Sequence, residues 1–205
     1  TMQINKFQDV ELKTNDPIAL FDQWLKEAKK PYLNIEFFIV ATAGKNGRPS
    51  ARTVLLRDYG PHGFIFYTNH QSRKGSELLE NPQAMMLFYW KSLMRQVRIE
   101  GPVSPVDNET ADKYFAGRPR NSQIGAWASL QSQPMETRDT FDQRIEEFKT
   151  KFEGQDVPRP THWPGFCLQP DKIEFWNEKE FRLHDRILYT KTDDGWNQGH
   201  FLFPR

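Results

Sequence analysis

The sequence predicts a mainly β protein, an antiparallel barrel with peripheral helices. Two observations support this class. Many short segments alternate apolar and polar residues, and turns rich in Gly, Pro and Asn separate them. The helical segments are inserted among these strands and do not alternate with them, which argues against a parallel sheet.

The first half of the chain predicts a helix followed by a meander of strands. Asp16 is a suitable N-cap and Pro17 a suitable first helical residue, and the helix that follows has one apolar face. Its apolar residues are Leu20, Phe21, Trp24, Leu25 and Ala28, and Lys29-Lys30-Pro31 ends it. The predicted strands cover residues 37–43, 51–58, 64–68, 84–90 and 95–103, with a short helix over 72–80.

The second half predicts two helices and three or four strands. Residues 107–116 and 137–152 have helical periodicity, and the second helix carries a stripe of Phe141, Ile145, Phe148 and Phe152. Residues 118–134 have little periodicity and predict an irregular functional loop. Extended segments follow at 166–169, 172–176 and 181–189, with a further strand near Trp196. Residues 1–15 are polar and predict an N-terminal arm, which leaves 16–205 as a single domain.

Composition excludes several classes of protein. With 28 Lys and Arg against 27 Asp and Glu in 205 residues, no net field would hold the chain on nucleic acid or an anionic membrane. The longest apolar run, 84–90, is far shorter than the ~18 residues of a membrane span. The N-terminus lacks a signal-type apolar stretch, and one cysteine cannot form an internal disulfide. We therefore expect a cytoplasmic protein.

The common catalytic motifs are missing from the sequence. It contains no Gly-x-Gly-x-x-Gly, phosphate-loop, Gly-x-Ser-x-Gly, Cys-x-x-Cys or His-Glu-x-x-His motif. The five histidines are far apart and lack ligand-like spacing, so we expect no metal site. If the chain is an enzyme, an organic cofactor is the expected source of its chemistry.

Two early segments combine cations with strand or helix ends. In the predicted strand, Arg52 and Arg57 fall on opposite faces, so each face has a guanidinium that can bind phosphate or carboxylate bidentately. An edge strand with solvated arginines would give the same pattern. Residues 67–75 lead from a strand into a helix whose first turn contains Arg73 and Lys74, an arrangement suited to phosphate or to a capped helix alone. Residues 95–98 are equally ambiguous.

Two later segments are rich in hydrogen-bond donors. Residues 118–127 read Arg-Pro-Arg-Asn-Ser-Gln-Ile-Gly-Ala-Trp, and Gln-Ser-Gln-Pro follows at 131–134. Such a polar stretch offers little to a core and much to a ligand. Residues 182–186 read Arg-Leu-His-Asp-Arg and follow Trp176, which indicates either a ligand site or a surface ion-pair cluster. A Ser-His-Asp triad is disfavoured because the nucleophile motif is missing.

Together, in this order and spacing, these segments resemble the pyridoxamine (pyridoxine) 5′-phosphate oxidase family. The resemblance extends from about Asp16 to the C-terminus, over nine-tenths of the chain. It implies an FMN-binding split barrel and a homodimer with FMN at the subunit interface. It also implies oxidation of pyridoxamine or pyridoxine 5′-phosphate to pyridoxal 5′-phosphate by dioxygen, with release of hydrogen peroxide.

The resemblance also implies roles for individual residues. The substrate phosphate would be held by Arg57, Tyr114, Arg118 and Ser122. Arg182 and His184 would be the catalytic pair over the substrate ring. Arg73 and Lys74 would bind the FMN phosphate. The residues around FMN would be Arg52, Thr53, Val54, Leu55, Leu56, Arg57, Tyr67, Thr68, Arg73, Lys74, Gln96, Gln131, Ser132, Trp176 and Arg186.

The sequence departs from the family pattern at several positions, and other functions remain open. Residues 1–15 contain neither Arg nor Tyr, whereas the family usually has an Arg-x-x-Tyr segment that closes over the substrate. Position 57, commonly Lys, is Arg, and Asn177-Glu178 replaces the usual Gln-Gly. The alternatives are a related flavin oxidase of another ring, such as a phenazine-pathway enzyme, and a non-catalytic carrier of flavin or pyridoxal phosphate. A nucleic-acid-binding barrel is disfavoured by the near-zero charge.

Overall fold

The computed structural model describes residues 15–29 and 35–204. The predicted N-terminal arm lies outside these residues except for Asn15, and so does the predicted helix end at Lys30-Pro31. The helices are α1 (Pro17–Lys29), α2 (Arg73–Glu80), α3 (Asn108–Ala116), α4 (Arg120–Ala128) and α5 (Arg138–Lys151). The strands are β1 (Phe37–Ala43), β2 (Pro49–Leu55), β3 (Asp58–Gly60), β4 (Gly63–Tyr67), β5 (Gln83–Trp90), β6 (Arg95–Pro105), β7 (Gly165–Leu168), β8 (Lys172–Asn177), β9 (Asp185–Thr192), β10 (Gly195–Trp196) and β11 (His200–Phe201).

The strands form one branched antiparallel sheet, which confirms the predicted fold class. The main path runs β10-β9-β8-β6-β5-β1-β2, and a branch joins β3, β4 and β7 to β6. The long strand β6 makes the connection: its first half pairs with β8, and its end, Val103 to Pro105, pairs with β7. One strand thus joins the main path and the branch of the sheet. This connection curls the sheet into a split barrel.

Helix α1 supplies much of the barrel core, as its apolar face predicts. Ile18 N–H donates to Asp16 Oδ1 at 2.9 Å, which confirms the predicted cap. Phe21 meets Phe64 and Phe88 edge-on at 5.0 Å, and Trp24 meets Phe175 at 5.1 Å. All five rings are essentially inaccessible to solvent, so α1 joins strands β4, β5 and β8 into one core.

A second apolar cluster lies between helices α3, α4 and α5 and the connector before β7. It consists of Phe115, Ile124, Phe152, Val157 and Trp163. Of the predicted stripe, Phe141, Ile145 and Phe148 are half-buried on α5, and Phe152, just after the helix, is buried. The rings of Phe148 and Phe152 lie 5.6 and 5.3 Å from that of Trp127. This cluster holds helices α3 and α4, and therefore their polar residues, in place.

The structure corrects the predicted strand over 51–58. The ladder of β2 ends at Leu55, and β3 begins only at Asp58. Between them the Leu56 N–H donates to the carbonyl of Glu36, and the Arg57 N–H donates to the carbonyl of Ile65. The chain therefore crosses at this point from the β1 side of the barrel to β4.

The predicted irregular loop over 118–134 is also wrong for its first half. Residues 120–128 form α4, which buries Gln123, Ile124 and Ala128. Because Gln123 donates its amide to the carbonyls of Phe115 and Ala116, a polar residue occupies a position on the buried face. Because this buried position holds an amide and not an apolar side chain, the sequence shows no clear helical period here.

The C-terminal strands also differ in part from the prediction. The predicted strand over 181–189 begins only at Asp185, since residues 180–182 form a single 3₁₀ turn. The strand near Trp196 is confirmed as β10, whereas β11 had no sequence signal.

Candidate functional site

A cavity of about 760 Å³ lies where β2, the end of β4, the start of α2 and the end of α3 meet. We call it the cationic cavity, because five cationic side chains line it and no carboxylate appears among its described lining residues. Its size suits a cofactor or a small ligand, and its field suits an anion. The sequence-predicted residues that line it are Arg52, Thr53, Val54, Leu55, Arg57, Tyr67, Thr68, Arg73, Lys74, Tyr114, Arg118, Gln131 and Ser132.

Lys74 is the most deeply buried cation of the cavity, with only 4% of its surface exposed. Its ammonium group donates to Thr68 Oγ1 and, at 3.4 Å, to Ser72 Oγ. Burial lowers the pKa of Lys74 to about 8, and the charge of Arg52 contributes to the same shift. A buried ammonium held only by hydroxyl groups within the described chain is stabilised when an anion binds beside it.

The start of α2 completes this anion-binding corner. Ser72 caps the helix by accepting the Gly75 N–H at 3.3 Å. A Cβ atom at Gly75 would lie 2.3 Å from the carbonyl oxygen of His70, so only glycine fits this close turn. The tight turn brings the positive end of the helix and the Lys74 ammonium together.

Stacked aromatic rings form the opposite wall of the cavity. Tyr67 and Tyr114 stack with centroids 4.0 Å apart, and Trp163 is nearly parallel to both. The Arg118 guanidinium lies 4.3 Å from the Trp163 centroid. Burial lowers the pKa of Arg118, and its Nη1 is buried without a hydrogen-bond partner among the described residues. An unsatisfied donor at a cavity wall indicates a position for an anionic ligand.

Trp163 lines the cavity but was not predicted as a site residue. It lies within the Pro-rich connector 158–164, in neither a helix nor a strand, so no periodicity marks it. A large aromatic residue inside such a connector was the only available signal.

Two predicted residues, Leu56 and Ser122, line neither the cationic cavity nor the second pocket described below. Leu56 belongs to the barrel core and is 4% exposed. Ser122 is half-buried in the first turn of α4, where its N–H donates to the carbonyl of Pro119 at 2.8 Å. Leu56 directly precedes the lining residue Arg57, and Ser122 lies four residues after the lining residue Arg118.

The remaining predicted residues surround a second, smaller pocket of about 380 Å³. They are Gln96, Trp176, Arg182, His184 and Arg186, together with Arg98 and Glu174, which the sequence did not single out. Arg186 makes two hydrogen bonds to Glu174, Nε to Oε1 at 2.8 Å and Nη2 to Oε2 at 3.0 Å. Arg98 Nη1 lies 3.6 Å from Glu174 Oε2.

The rim of this second pocket is held in a defined shape. The imidazole of His184 lies 4.7 Å from the ring of Trp176, and its Nδ1 accepts the Lys179 N–H at 3.1 Å. Phe181 and Arg182 have φ of 57° and 60°, a left-handed conformation that is unfavourable for residues other than glycine. Strain of this kind persists where the surroundings fix a functional turn.

The second pocket lies on one face of the main sheet, and the cationic cavity reaches the same face at the opposite end of the sheet. Directly paired residues share a face, and the pairs Ile39–Leu87, Leu87–Arg98 and Arg98–Glu174 trace that face across four strands. Thr53 on β2 lies on the same face, opposite Ile39. Strands β1 and β5 therefore separate the cationic cavity on β2 from the second pocket, which begins at β6.

Large apolar residues cover the face between the pockets. Phe37 is 44% exposed, Ile39 41% and Tyr89 50%, and Leu87 is partly exposed beside them. An exposed patch of adjacent apolar side chains is typical of a protein interface.

The described residues offer no alternative metal centre. No group of three or more His, Cys, Asp and Glu side chains within residues 15–29 and 35–204 could hold a metal ion. In the same part of the chain, no helix is both long and apolar enough to cross a membrane.

Fold and site together define a split-barrel protein with a cavity whose lining suits anionic ligands. A family model described as pyridoxamine 5′-phosphate oxidase matches residues 25–152. A second model, the pyridoxine 5′-phosphate oxidase C-terminal dimerisation region, matches residues 163–204. The chain belongs to the pyridoxamine 5′-phosphate oxidase family.

Individual relatives agree with this family. The chain is 54% identical to a pyridoxine/pyridoxamine 5′-phosphate oxidase of Sphingopyxis alaskensis over 93% of its length and 88% of the relative. It is 51% identical to the protein of the same name from Zymomonas mobilis, over 93% of this chain and the whole relative.

Two solved structures share the fold. PhzG from Burkholderia lata, in complex with tetrahydrophenazine-1-carboxylic acid, has a TM-score of 0.88 at 30% identity and covers 99% of this chain and 98% of its own. A pyridoxamine 5′-phosphate oxidase-related FMN-binding protein from Nostoc punctiforme has a TM-score of 0.73 at 15% identity, over 92% and 98% of the two chains. The second likeness concerns the fold alone.

Proposed function

We propose that this protein oxidises pyridoxamine 5′-phosphate and pyridoxine 5′-phosphate to pyridoxal 5′-phosphate, with FMN as its cofactor and dioxygen as the final acceptor. The observation that carries the proposal is the cationic cavity, where a buried ammonium and an unsatisfied guanidinium donor lie in one space that no described carboxylate lines. Two phosphorylated molecules, one cofactor and one substrate, would satisfy both groups.

The corner at α2 fits the phosphate of FMN. Lys74, Arg73 and Arg52 supply cations there, and the helix start supplies N–H groups. The flanking residues Thr68, Gln131 and Ser132 offer further polar contacts, and Thr68 already lies 3.3 Å from Gln131. FMN bound there would supply hydride acceptance and the subsequent reduction of dioxygen to hydrogen peroxide.

The aromatic wall fits the phosphate of the substrate. Arg118, Arg57 and Tyr114 line this part of the cavity, and the Arg57 guanidinium lies 6.0 Å from the Tyr114 ring. The family resemblance assigns Ser122, four residues after Arg118 in the first turn of α4, to the same anchor. Each charge-assisted hydrogen bond to the phosphate would contribute about 1.5–3 kcal/mol, which makes the phosphate the main determinant of recognition.

Arg182 and His184 are the proposed catalytic pair. Because His184 Nδ1 accepts a backbone N–H, its neutral ring carries the proton on Nε2 and can donate a hydrogen bond to the substrate. Arg182 supplies a cation that would orient the ring and stabilise charge as the carbon–hydrogen bond breaks. Trp176, Gln96 and Arg186 would flank the flavin from the same pocket.

These two sets of residues would meet across a homodimer interface. They lie at opposite ends of one sheet face in a single chain, and an apolar surface lies between them. Two-fold pairing of that face would set the cationic cavity of one subunit against the second pocket of its partner. The match to a family dimerisation region over 163–204 supports this arrangement.

The test is a direct assay of the purified protein. We expect a yellow protein that, with pyridoxine 5′-phosphate in air, forms pyridoxal 5′-phosphate and hydrogen peroxide in equal amounts. Flavin colour without turnover would support a carrier in its place. A protein that binds no FMN after addition would contradict the proposal.

The resemblance to PhzG makes a phenazine-type substrate the second candidate. A tricyclic carboxylate has no phosphate. Arg57, Tyr114 and Arg118 would then lack the phosphate group that they are proposed to bind. Turnover of tetrahydrophenazine-1-carboxylic acid at a higher kcat/KM than pyridoxine 5′-phosphate would favour that candidate.

A further inference from the structure

Glu77 is an acidic residue directly behind the cationic cavity, and no role has been given to it above. It lies one turn after Arg73 on α2, and only 12% of its side chain is exposed. A nearly buried carboxylate next to a cofactor phosphate would at first be expected to repel it. Its contacts indicate a different effect.

Both carboxylate oxygens of Glu77 are hydrogen-bonded. Arg73 Nε donates to Oε1 at 2.9 Å, and the hydroxyls of Thr42 and Ser50 both donate to Oε2. Burial acts to raise the pKa of Glu77, but these hydrogen bonds outweigh it and bring the pKa down to about 2. Glu77 is therefore a carboxylate at every pH at which the protein works.

The same two hydroxyls contact Arg52. Its Nη1 donates to Thr42 Oγ1 at 2.6 Å, and its Nη2 donates to Ser50 Oγ. A hydroxyl has one proton, so a hydroxyl that donates to Glu77 must present its lone pairs to Arg52. The charge of Glu77 thus fixes the direction of both hydrogen bonds.

The result is a closed network that holds two arginines. Arg52 reaches Glu77 through Thr42 and Ser50 and lies 3.5 Å from Oε2, while Arg73 contacts Oε1 directly. Both guanidinium groups also line the cationic cavity, next to Lys74. Networks of this kind strengthen their members, and orientation before binding lowers the entropy lost on binding.

We propose that Glu77 is a positioning residue for phosphate recognition: it fixes Arg52 and Arg73, through Thr42 and Ser50, so that they face the flavin phosphate. The inference rests on the proposed function, because it takes these arginines as FMN phosphate ligands. Glu77 itself touches neither cofactor nor substrate. Its effect is confined to ligands that carry the phosphate.

The test compares FMN with riboflavin, which has the same ring and no phosphate. Dissociation constants of both ligands are measured with the flavin-free protein by quenching of flavin fluorescence. Glu77→Gln removes the charge that holds Arg52 and Arg73, and its amide N–H groups would compete with Arg52 for the lone pairs of the two hydroxyls. We expect the dissociation constant of FMN to rise about tenfold, because the charge-assisted network that holds the arginines is lost. The dissociation constant of riboflavin should stay unchanged.

Two further variants make the result specific. Glu80→Gln removes a charge from the same helix at a residue whose Oε2 accepts the Lys45 N–H and which does not line the cavity, so both affinities should match the wild type. Thr42→Val removes one hydroxyl from the network at nearly constant shape. It should reduce the preference for FMN even if Glu77→Gln fails to fold.

The outcomes separate the inference from the function on which it rests. Equal weakening of FMN and riboflavin in Glu77→Gln would mean a structural role only, and unchanged or tighter FMN binding would mean that the carboxylate repels the phosphate. Either result overturns the inference and leaves the proposed function intact. A wild-type protein with no preference for FMN over riboflavin would overturn both.

Discussion

The guanidinium of Arg118 lies over the face of the Trp163 indole, 4.3 Å from the ring centroid. Phe115 approaches the same guanidinium at 5.8 Å, so apolar and aromatic surface surrounds it. A cation in this setting is attracted by the ring but keeps its edge N–H groups unused. Arg118 is thus held rigidly with donors available to an anion.

Replacing Arg118 by Met should reduce kcat/KM for pyridoxine 5′-phosphate about tenfold to a hundredfold, because one or two charge-assisted hydrogen bonds to the phosphate are lost. The loss should appear mainly in KM, since the phosphate is remote from the reacting carbon. Steady-state kinetics with peroxide detection measures it. FMN content should be unchanged, and an unaltered KM would contradict the assignment of Arg118 to the substrate phosphate.

FMN binding should depend on the titration of Lys74. Its pKa in the flavin-free protein is about 8, and a bound phosphate favours the charged ammonium. Above pH 8 binding must therefore take up a proton, so FMN affinity should be constant near pH 7 and fall by up to tenfold per pH unit between 8 and 9.5. Fluorescence titrations at several pH values measure this.

The matched variant Lys74→Met should bind FMN weakly and without this pH dependence. Were the slope to persist in Lys74→Met, another group would be responsible for it.

Subunits with defects in different pockets should complement each other. Neither Arg118→Met nor Arg182→Met dimers contain an intact site if each site combines both pockets. Random pairing makes half the dimers mixed, and each mixed dimer has one intact site, so coexpression should restore about a quarter of wild-type activity. Specific activity of the copurified mixture measures this. Absence of recovery in verified mixed dimers would show that each chain builds its own site.

Glycine is required at one helix position of the site and dispensable at another. A Cβ at Gly75 would meet backbone atoms of His70 at 2.3–2.5 Å, so Gly75→Ala should lower the free energy of unfolding by about 1–3 kcal/mol. Gly125, within α4, has no atom within 4 Å of such a Cβ. Gly125→Ala should raise the free energy by up to about 1 kcal/mol. Urea denaturation of both variants measures these changes. Equal changes in the free energy of unfolding would contradict the prediction.

The sequence could predict those elements whose pattern is local. The apolar face of α1, the bounds of β1 and the cap at Asp16 are read from neighbouring residues. Helix α4 could not be predicted, because Gln123 satisfies carbonyl groups of another helix and its partners are set by tertiary structure. The 3₁₀ turn at Phe181 was missed because no residue type marks a left-handed backbone there.

The sequence predicted which residues belong to the site better than it predicted how they are arranged in space. Motif order identified Arg73, Lys74 and Arg118, and the structure brings these into one cavity. Periodicity could not indicate that Arg182 lies at the other end of the sheet from them, since this depends on strand order. Trp163 and Glu77 were missed because each acts on an arginine distant in sequence.

The apolar sheet face between the two pockets links assembly to the reaction itself. If pairing of that face completes every site, a lone subunit has two half-sites and no turnover, however well it is folded. Specific activity would then fall on dilution below the dimer dissociation constant and return on reconcentration. The concentration of the protein in the cell would then determine what fraction of it is active, in addition to its intrinsic rate.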